Sequence, residues 1–414
     1  AMSKAAIYSG GMPHSPEAKA GNINNGLRHT SSPLVAILDA DMIPTRRFLM
    51  RTVPYFFLPK LKKNEQGQWV ERTPDEIDPD YKVGFIQTPQ TFYHPDLFQY
   101  NLYAEPRVPS EQMYFFRIVN VGMNSTNTSI LCGTNAVISR RALDDVGLFG
   151  TGTITEDLHT GMLIQEKGYR TYSIDEPLVN GLSPQTAVGL LRQRERWGRG
   201  AVQVMYKVKP FFNRNFSFKA QLSYFNIIIY WWTFIRRYVY IMSPILVAFF
   251  DIYIVDASLW DLLKFWLPYY VLNTVAMTTL SKGKRTVHWN NIFDTVLFPY
   301  LIVPIFLETF GIRMKKFHVT PKAHQKKTSI PWLAVPHFAL LVMSLAGVVI
   351  CVITTIQSHW FYYGIIVFWL LANSKNLLLS VFFMMGRDNE RRQYRQAVEV
   401  PATVEHNGYI YQGY

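Results

Sequence analysis

Leu34-Val35-Ala36-Ile37-Leu38-Asp39-Ala40-Asp41 reads as a short buried strand that ends on a pair of carboxylates. Side chains two apart on an extended chain point to one face, so Asp39 and Asp41 are expected to present their charges together. Residues 83–87 and 129–132 are two further strand candidates, and residues 156–167 and 185–205 read as helices. Short apolar runs alternating with helical stretches argue for a layered α/β domain. Thr155 is the expected N-cap of the first of these helices and Gly168 its stop. The polar stretch 60–80 reads as a surface excursion without chemistry of its own.

Composition changes near residue 220, after which long apolar runs dominate the 414-residue chain. A membrane crossing takes roughly 20 apolar residues. Four crossings are expected, over 222–250, 265–280 (beginning nearer Leu259), 332–356 and 361–385. The apolar stretch 292–307 is expected to lie along the interface, within a helix over 287–311. Pro299 and Pro304 would break it, and basic clusters flank it on both sides, Lys282-Gly283-Lys284-Arg285 and Lys315-Lys316. Arg236, Arg237 and Lys375 fall inside apolar runs, where they either line a polar path or snorkel to headgroups.

The chain carries 42 Lys and Arg against 29 Asp and Glu, a net charge of +13. The basic residues sit mainly beside apolar runs, which favours membrane topology or phosphate binding, and no nucleic-acid partner is expected. Two cysteines, Cys132 and Cys351, give no disulfide framework. The opening at Ala1-Met2 reads as mid-fold, so the stretch is expected to be a fragment.

Three motifs follow the first strand in order. A carboxylate of the Asp39-Ala40-Asp41 pair can hold a hard divalent ion that neutralises the phosphates of a leaving nucleotide, although acidic strand ends are common. Thr155-Glu156-Asp157 stands at a helix start, where it is either a cap or the seat of a general base, Asp157, for an acceptor hydroxyl. Gln193, Arg196 and Trp197 lie at i, i+3 and i+4, on one helical face. The first two suit a pyrophosphate and the third a sugar ring, or the helix is an Arg- and Trp-rich interfacial one.

The run from Cys132-Gly133-Thr134 through Thr155-Glu156-Asp157 to Gln193-Arg194-Glu195-Arg196-Trp197 resembles the processive family 2 glycosyltransferases. Within them it is most similar to bacterial cellulose synthase catalytic subunits. Lys19-Ala20-Gly21-Asn22, Asp39-Ala40-Asp41 and Gln87-Thr88-Pro89 match in the same order, and Phe317-His318-Val319-Thr320-Pro321-Lys322 resembles the family's gating loop. The resemblance implies a GT-A (Rossmann-like) glycosyltransferase domain over 1–205 with its N-terminal part missing. It also implies an α-helical transmembrane domain over 206–386 with a gating loop at 315–327. Lys19 and Asp39 would contact UDP, Asp41 would ligate Mg²⁺ (or Mn²⁺), and Glu156 and Asp157 would be the catalytic carboxylates, with Asp157 the base. Gln193 and Arg196 would grip the diphosphate, and Trp197 and Cys132 would meet the acceptor. Phe317, Thr320 and Lys322 would close over the nucleotide.

The reaction so implied joins glucose from UDP-glucose, with inversion, to a growing β-1,4-glucan. The setting is the bacterial inner membrane, with the catalytic domain cytosolic, lipids around the helices and an accessory subunit in the periplasm or cell envelope. The family's upstream uridine-binding aspartates have no counterpart here, and Gly133-Thr134-Asn135 departs from the familiar cellulose synthase pattern. A mixed-linkage glucan or an N-acetylhexosamine polymer therefore stays open, as does a nucleotide-sensing transporter. Arg391 and Arg395, with Val400-Pro401 after them, resemble the RxxxR start of a PilZ domain over 387–414, which implies cyclic di-GMP as activator. The plain alternative is a positive-inside cluster.

Overall fold

The computed structural model describes residues 18–105, 107–254, 258–313, 331–358, 362–387, 402–406 and 409–413. A four-stranded sheet organises the first half, built from β1 (Leu34–Ile37), β2 (Val83–Gln87), β3 (Ala136–Ser139) and β4 (Arg170–Ser173) in the order β1-β3-β2-β4. β3 pairs antiparallel with both β1 and β2, and β2 pairs parallel with β4. Alternation along the strands covers both faces. Phe85 and Ile138 pack to one side with Ala20, Leu27 and Ile164 from helices, and Ile86 and Val137 pack to the other with Phe48 and Leu178. The helices on the first side are α1 (Ala18–Arg28) and α2 (Glu156–Glu166).

Two of the three expected strands form. The exception is residues 129–132, which have no ladder partner among the described residues. Asn120 takes the ladder's place: its Oδ1 accepts from Ile130 N at 2.6 Å, and its Nδ2 donates to Ile130 O at 3.1 Å. The strand that the sheet uses starts four residues later, at Ala136. Thr155 does precede α2, but its hydroxyl makes no cap, and its buried Oγ1 has no hydrogen-bond partner among the described residues. Gly168 does supply the left-handed stop, at φ +81°. The polar insert forms a surface hairpin, Leu61–Lys63 against Trp69–Glu71.

α3 (Ala187–Val208) leads into the helical half: α4 (Phe218–Phe250), α5 (Val287–Thr309), α6 (Val335–Ser358) and α7 (Tyr362–Met385). Among the described residues four helices are long and apolar enough to cross a membrane, over Phe218–Phe250, Val287–Thr309, Pro331–Gln357 and Tyr363–Met385. Three of these fall on expected crossings, and the fourth falls on the stretch expected to lie along the interface. The stretch expected to cross over 265–280, beginning nearer Leu259, is helical from Leu259 to Leu280 with a π-turn at Leu262–Trp266, and is not among these four. Meanwhile α5, expected to lie flat, runs unbroken through Pro299 and Pro304 and meets the length and apolarity of a crossing. Pro299 has no N–H to offer the carbonyl of Thr295, and His337 Nε2 on α6 takes up that carbonyl at 2.9 Å. Arg237 turns inward, with Nε donating to Thr295 Oγ1 at 2.8 Å, while Arg236 stays half-exposed. Lys375 Nζ lies 3.4 Å from His288 Nδ1.

Candidate active site

β1, β2 and β4 run one way and β3 the other, so the carboxyl ends of β1 and β2 adjoin the entrance to β3. That edge is where open α/β sheets hold ligands. It brings together Asp39, Gln87-Thr88 and Cys132-Gly133-Thr134. Gln87 shapes the last of these: its Oε1 accepts from Cys132 N at 2.8 Å, and its Nε2 donates to Thr134 O at 2.9 Å. Thr134 Oγ1 in turn accepts from Asp39 N at 2.9 Å.

Lys19, in the first turn of α1, closes the ring. Its Nζ donates to Asp39 Oδ1 and to Gly133 O, both at 2.6 Å. Gly133 has φ +69°, a conformation that side chains resist, and a Cβ there would sit 2.6 Å from Asp157 Oδ2. The sharp turn and the missing side chain together let the base candidate approach the loop. Asp157 itself is anchored, its Oδ1 accepting from Leu158 N at 2.8 Å.

Burial raises the pKa of both acidic residues at the start of α2. Glu156 is pushed up to about 7, first by desolvation and then by the charge of Asp157. Asp157 is raised by desolvation, and the charges of Lys19 and Arg196 pull against that rise. Burial and the Asp157 charge push the Cys132 thiol well above its ordinary value, so it is held neutral. Lys19, Asp39, Cys132, Glu156, Asp157 and Arg196 thus share one electrostatic neighbourhood.

Asp41 lies on the turn after β1, closed by Met42 N donating to Asp39 O at 2.9 Å, and its charge adds to the burial that raises Tyr93. Among the described residues no three His, Cys, Asp or Glu side chains converge on a metal position. Mg²⁺ is ordinarily bound through one or two carboxylates plus substrate phosphates, and two partly exposed carboxylates on a turn fit that donor set.

On α3, Gln193 is buried and its Oε1 has no hydrogen-bond partner among the described residues. Trp197 is half-buried against the core that the membrane helices share, with the Arg194 guanidinium 4.4 Å from its ring centroid. Arg194 is itself paired with Glu111. Phe317, Thr320, Lys322, Arg391 and Arg395 lie outside the described residues.

The sequence reading missed the residues that seat α3. Arg199 Nε donates to Glu308 Oε2 on α5 at 2.7 Å, and Gln203 Nε2 donates to Glu308 Oε1 at 2.8 Å. Gln203 Oε1 also accepts from Ile154 N at 3.1 Å, beside the acidic pair. A signal was present in Gly198-Arg199-Gly200. Each glycine costs a helix interior about 1 kcal/mol relative to Ala, so two of them mark close approaches. A Cβ on Gly198 would meet Trp231 at 2.8 Å and Ile305 at 2.9 Å, and one on Gly200 would meet Thr155 at 2.3 Å.

The family description "Glycosyl transferase family group 2" matches residues 34–307. The "Cellulose synthase 1 catalytic subunit [UDP-forming]" of Komagataeibacter xylinus is 30% identical over 310 residues, 75% of this chain and 39% of that protein. The "Cellulose synthase catalytic subunit [UDP-forming]" of Xanthomonas axonopodis pv. citri (strain 306) is 30% identical over 406 residues, 96% of this chain and 52% of that one. The chain therefore spans about half the length of these relatives or less. A solved structure, the mannosyltransferase PcManGT from Pyrobaculum calidifontis with GDP-Man and Mn²⁺, aligns at TM-score 0.41 and 18% identity, covering 72% of this chain and 68% of that one. A likeness at that level carries no functional inference.

Proposed function

The chain belongs to the family 2 glycosyltransferases, a membrane-protein member with a GT-A catalytic domain, and from that premise we propose that it extends a β-1,4-glucan from UDP-glucose. We further propose that the growing chain passes between its own helices across the bacterial inner membrane, from a cytosolic catalytic domain. The names of the cellulose synthase relatives support the donor and product, and their roughly 30% identity leaves the sugar to be tested. The observation that carries the reading is the double contact of Lys19 with Asp39 and Gly133, with Asp157 packed on the far side of Gly133.

In this scheme Lys19 and Asp39 take the UDP moiety, and Gln193 and Arg196 hold its diphosphate. Arginine supplies paired donors and a fixed charge to the phosphate oxygens. Asp41 would hold a divalent ion, which would supply charge neutralisation for the leaving diphosphate. Asp157 accepts the proton of the acceptor hydroxyl as that oxygen attacks the anomeric carbon from the face opposite the nucleotide. A carboxylate held above its ordinary pKa is the stronger base, and the charges of Lys19 and Arg196 pull against that rise. Trp197 offers its ring to the acceptor sugar at the boundary between catalytic core and membrane helices. Neutral Cys132 lies beside the base without competing for the proton.

The test is donor-dependent UDP release by the membrane-embedded protein, with UDP-glucose and UDP-N-acetylglucosamine compared, and linkage analysis of the product. UDP-glucose turnover into 1,4-linked glucan supports the proposal. Preference for the acetamido donor overturns the sugar assignment, and full turnover by Asp157→Asn overturns the mechanism.

A further inference from the structure

Behind the acidic pair lies a cavity of about 670 Å³ that the catalytic scheme does not use. Small-molecule sites commonly enclose roughly 300–1,000 Å³. α1 contributes Asn24 and Arg28, α2 contributes His159 and Glu166, and α3 contributes Lys207. The remaining wall is the loop that runs from Val146 to Thr151.

That wall is held in place without a ligand. Asn24 clamps Phe149, donating to its carbonyl at 3.0 Å and accepting from its N–H at 2.8 Å. Gly150 N donates to Thr160 Oγ1 at 2.9 Å, and Lys207 Nζ donates to Thr151 O.

His159 is the unexplained member. It is 4% exposed, and its Nδ1 makes no hydrogen bond among the described residues. Gly150 closes on it so tightly that a Cβ there would lie 2.4 Å from Nδ1. Burial, aided by the Lys207 charge, lowers the His159 pKa to about 4, so the ring is neutral near pH 7 and can donate from one nitrogen. Arg28 is exposed and has no ion pair among the described residues. Glu166 is already engaged by Asn213 Nδ2 at 2.9 Å. Two cations and one neutral donor therefore face a pre-formed space with an excess of positive charge.

We propose that this cavity is a second binding site, for a phosphate group carried by a small sugar phosphate or by an anionic lipid headgroup. Arg28 and Lys207 hold the phosphate, and His159 hydrogen-bonds an oxygen beside it. The site touches every helix that carries a catalytic group. It meets α1 at Asn24, about 8 Å from Lys19, and α3 about 16 Å from Arg196, by helix rise. On α2 it begins two residues after Asp157, roughly 200° around the helix. Occupancy bears on all three helices at once and makes the site regulatory.

The test uses the full chain in phosphatidylcholine nanodiscs, with UDP saturating the donor pocket, while inorganic phosphate is titrated and the melting temperature followed. A parallel arm replaces phosphatidylcholine with phosphatidylglycerol and adds no phosphate. The expected result is a saturable rise in one arm, which also identifies the source as soluble or lipid. Arg28→Glu and Lys207→Glu should weaken it by at least about tenfold while UDP affinity holds. Where Lys207→Glu does not fold, Lys207→Gln takes its place. No saturable response in either arm, or a response that both variants leave intact, overturns the proposal.

Discussion

Asp39 and Asp41 sit on a partly exposed turn, and Asp39 is matched at once by the Lys19 ammonium. Glu156 and Asp157 sit one loop away, desolvated enough that both are raised above their ordinary values. Two pairs of carboxylates thus stand in opposite surroundings, and the surroundings suit them to different work. The paired, solvated carboxylates are suited to a cation and the phosphates it draws, while the desolvated ones are suited to taking a proton. Lys19 and Gly133 form the seam between them.

The largest expected effect is on the buried pair. Asp157→Asn should lower turnover by about 10²–10⁴-fold, with UDP affinity retained in a binding assay. If affinity falls instead, the two pairs are not separate in function. Next, Gly133→Ala attacks the seam: its methyl meets Asp157 Oδ2 and its φ of +69° is strained. A misplacement of about 1 Å at a reacting group can cost around 10²-fold, so kcat should drop by about that much while circular dichroism stays native. Asp41→Asn, on the solvated side, should raise the divalent-ion concentration needed for half-maximal rate by roughly 10–100-fold, with little change in kcat at saturation.

The smallest effect concerns pH. Because Glu156 is raised to about 7, the fold binds its proton more tightly than the unfolded chain does, whose value lies near 4.5. Its contribution therefore favours folding at low pH and is lost as pH rises from 4.5 to about 7. Glu156→Gln should flatten that part of the stability profile. It should also shift the acid limb of kcat/KM to lower pH, as seen in a buffer series. An unchanged limb would place the titration on Asp157 alone.

Much of this was legible in the sequence. The run from Leu34 to Asp39 and that from Val83 to Gln87 are apolar and end on polar residues, and both form strands at their expected places. The i, i+3, i+4 spacing put Gln193, Arg196 and Trp197 on a helix, and α3 is there. The failures share a physical cause, a side chain supplied from afar. Residues 129–132 resemble a strand, yet Asn120 satisfies their backbone in place of a neighbouring strand. Pro299 should have stopped α5, yet His337, from another helix, meets the carbonyl it leaves over. Periodicity reports which residues are buried and is silent about such long-range donors. Arg199 and Glu308 were invisible for the same reason, since nothing local pairs two residues so far apart in the chain.

Gly198 and Gly200 face almost opposite sides of α3, and neither side has space for one added methyl group. A helix gripped so closely on both flanks has little slack, so a displacement of Trp231 or Ile305 in the bilayer-sized helices bears on α3 and, through it, on Thr155, two residues before Asp157. The sheet-bearing half and the long apolar helices are in this sense geared rather than hinged.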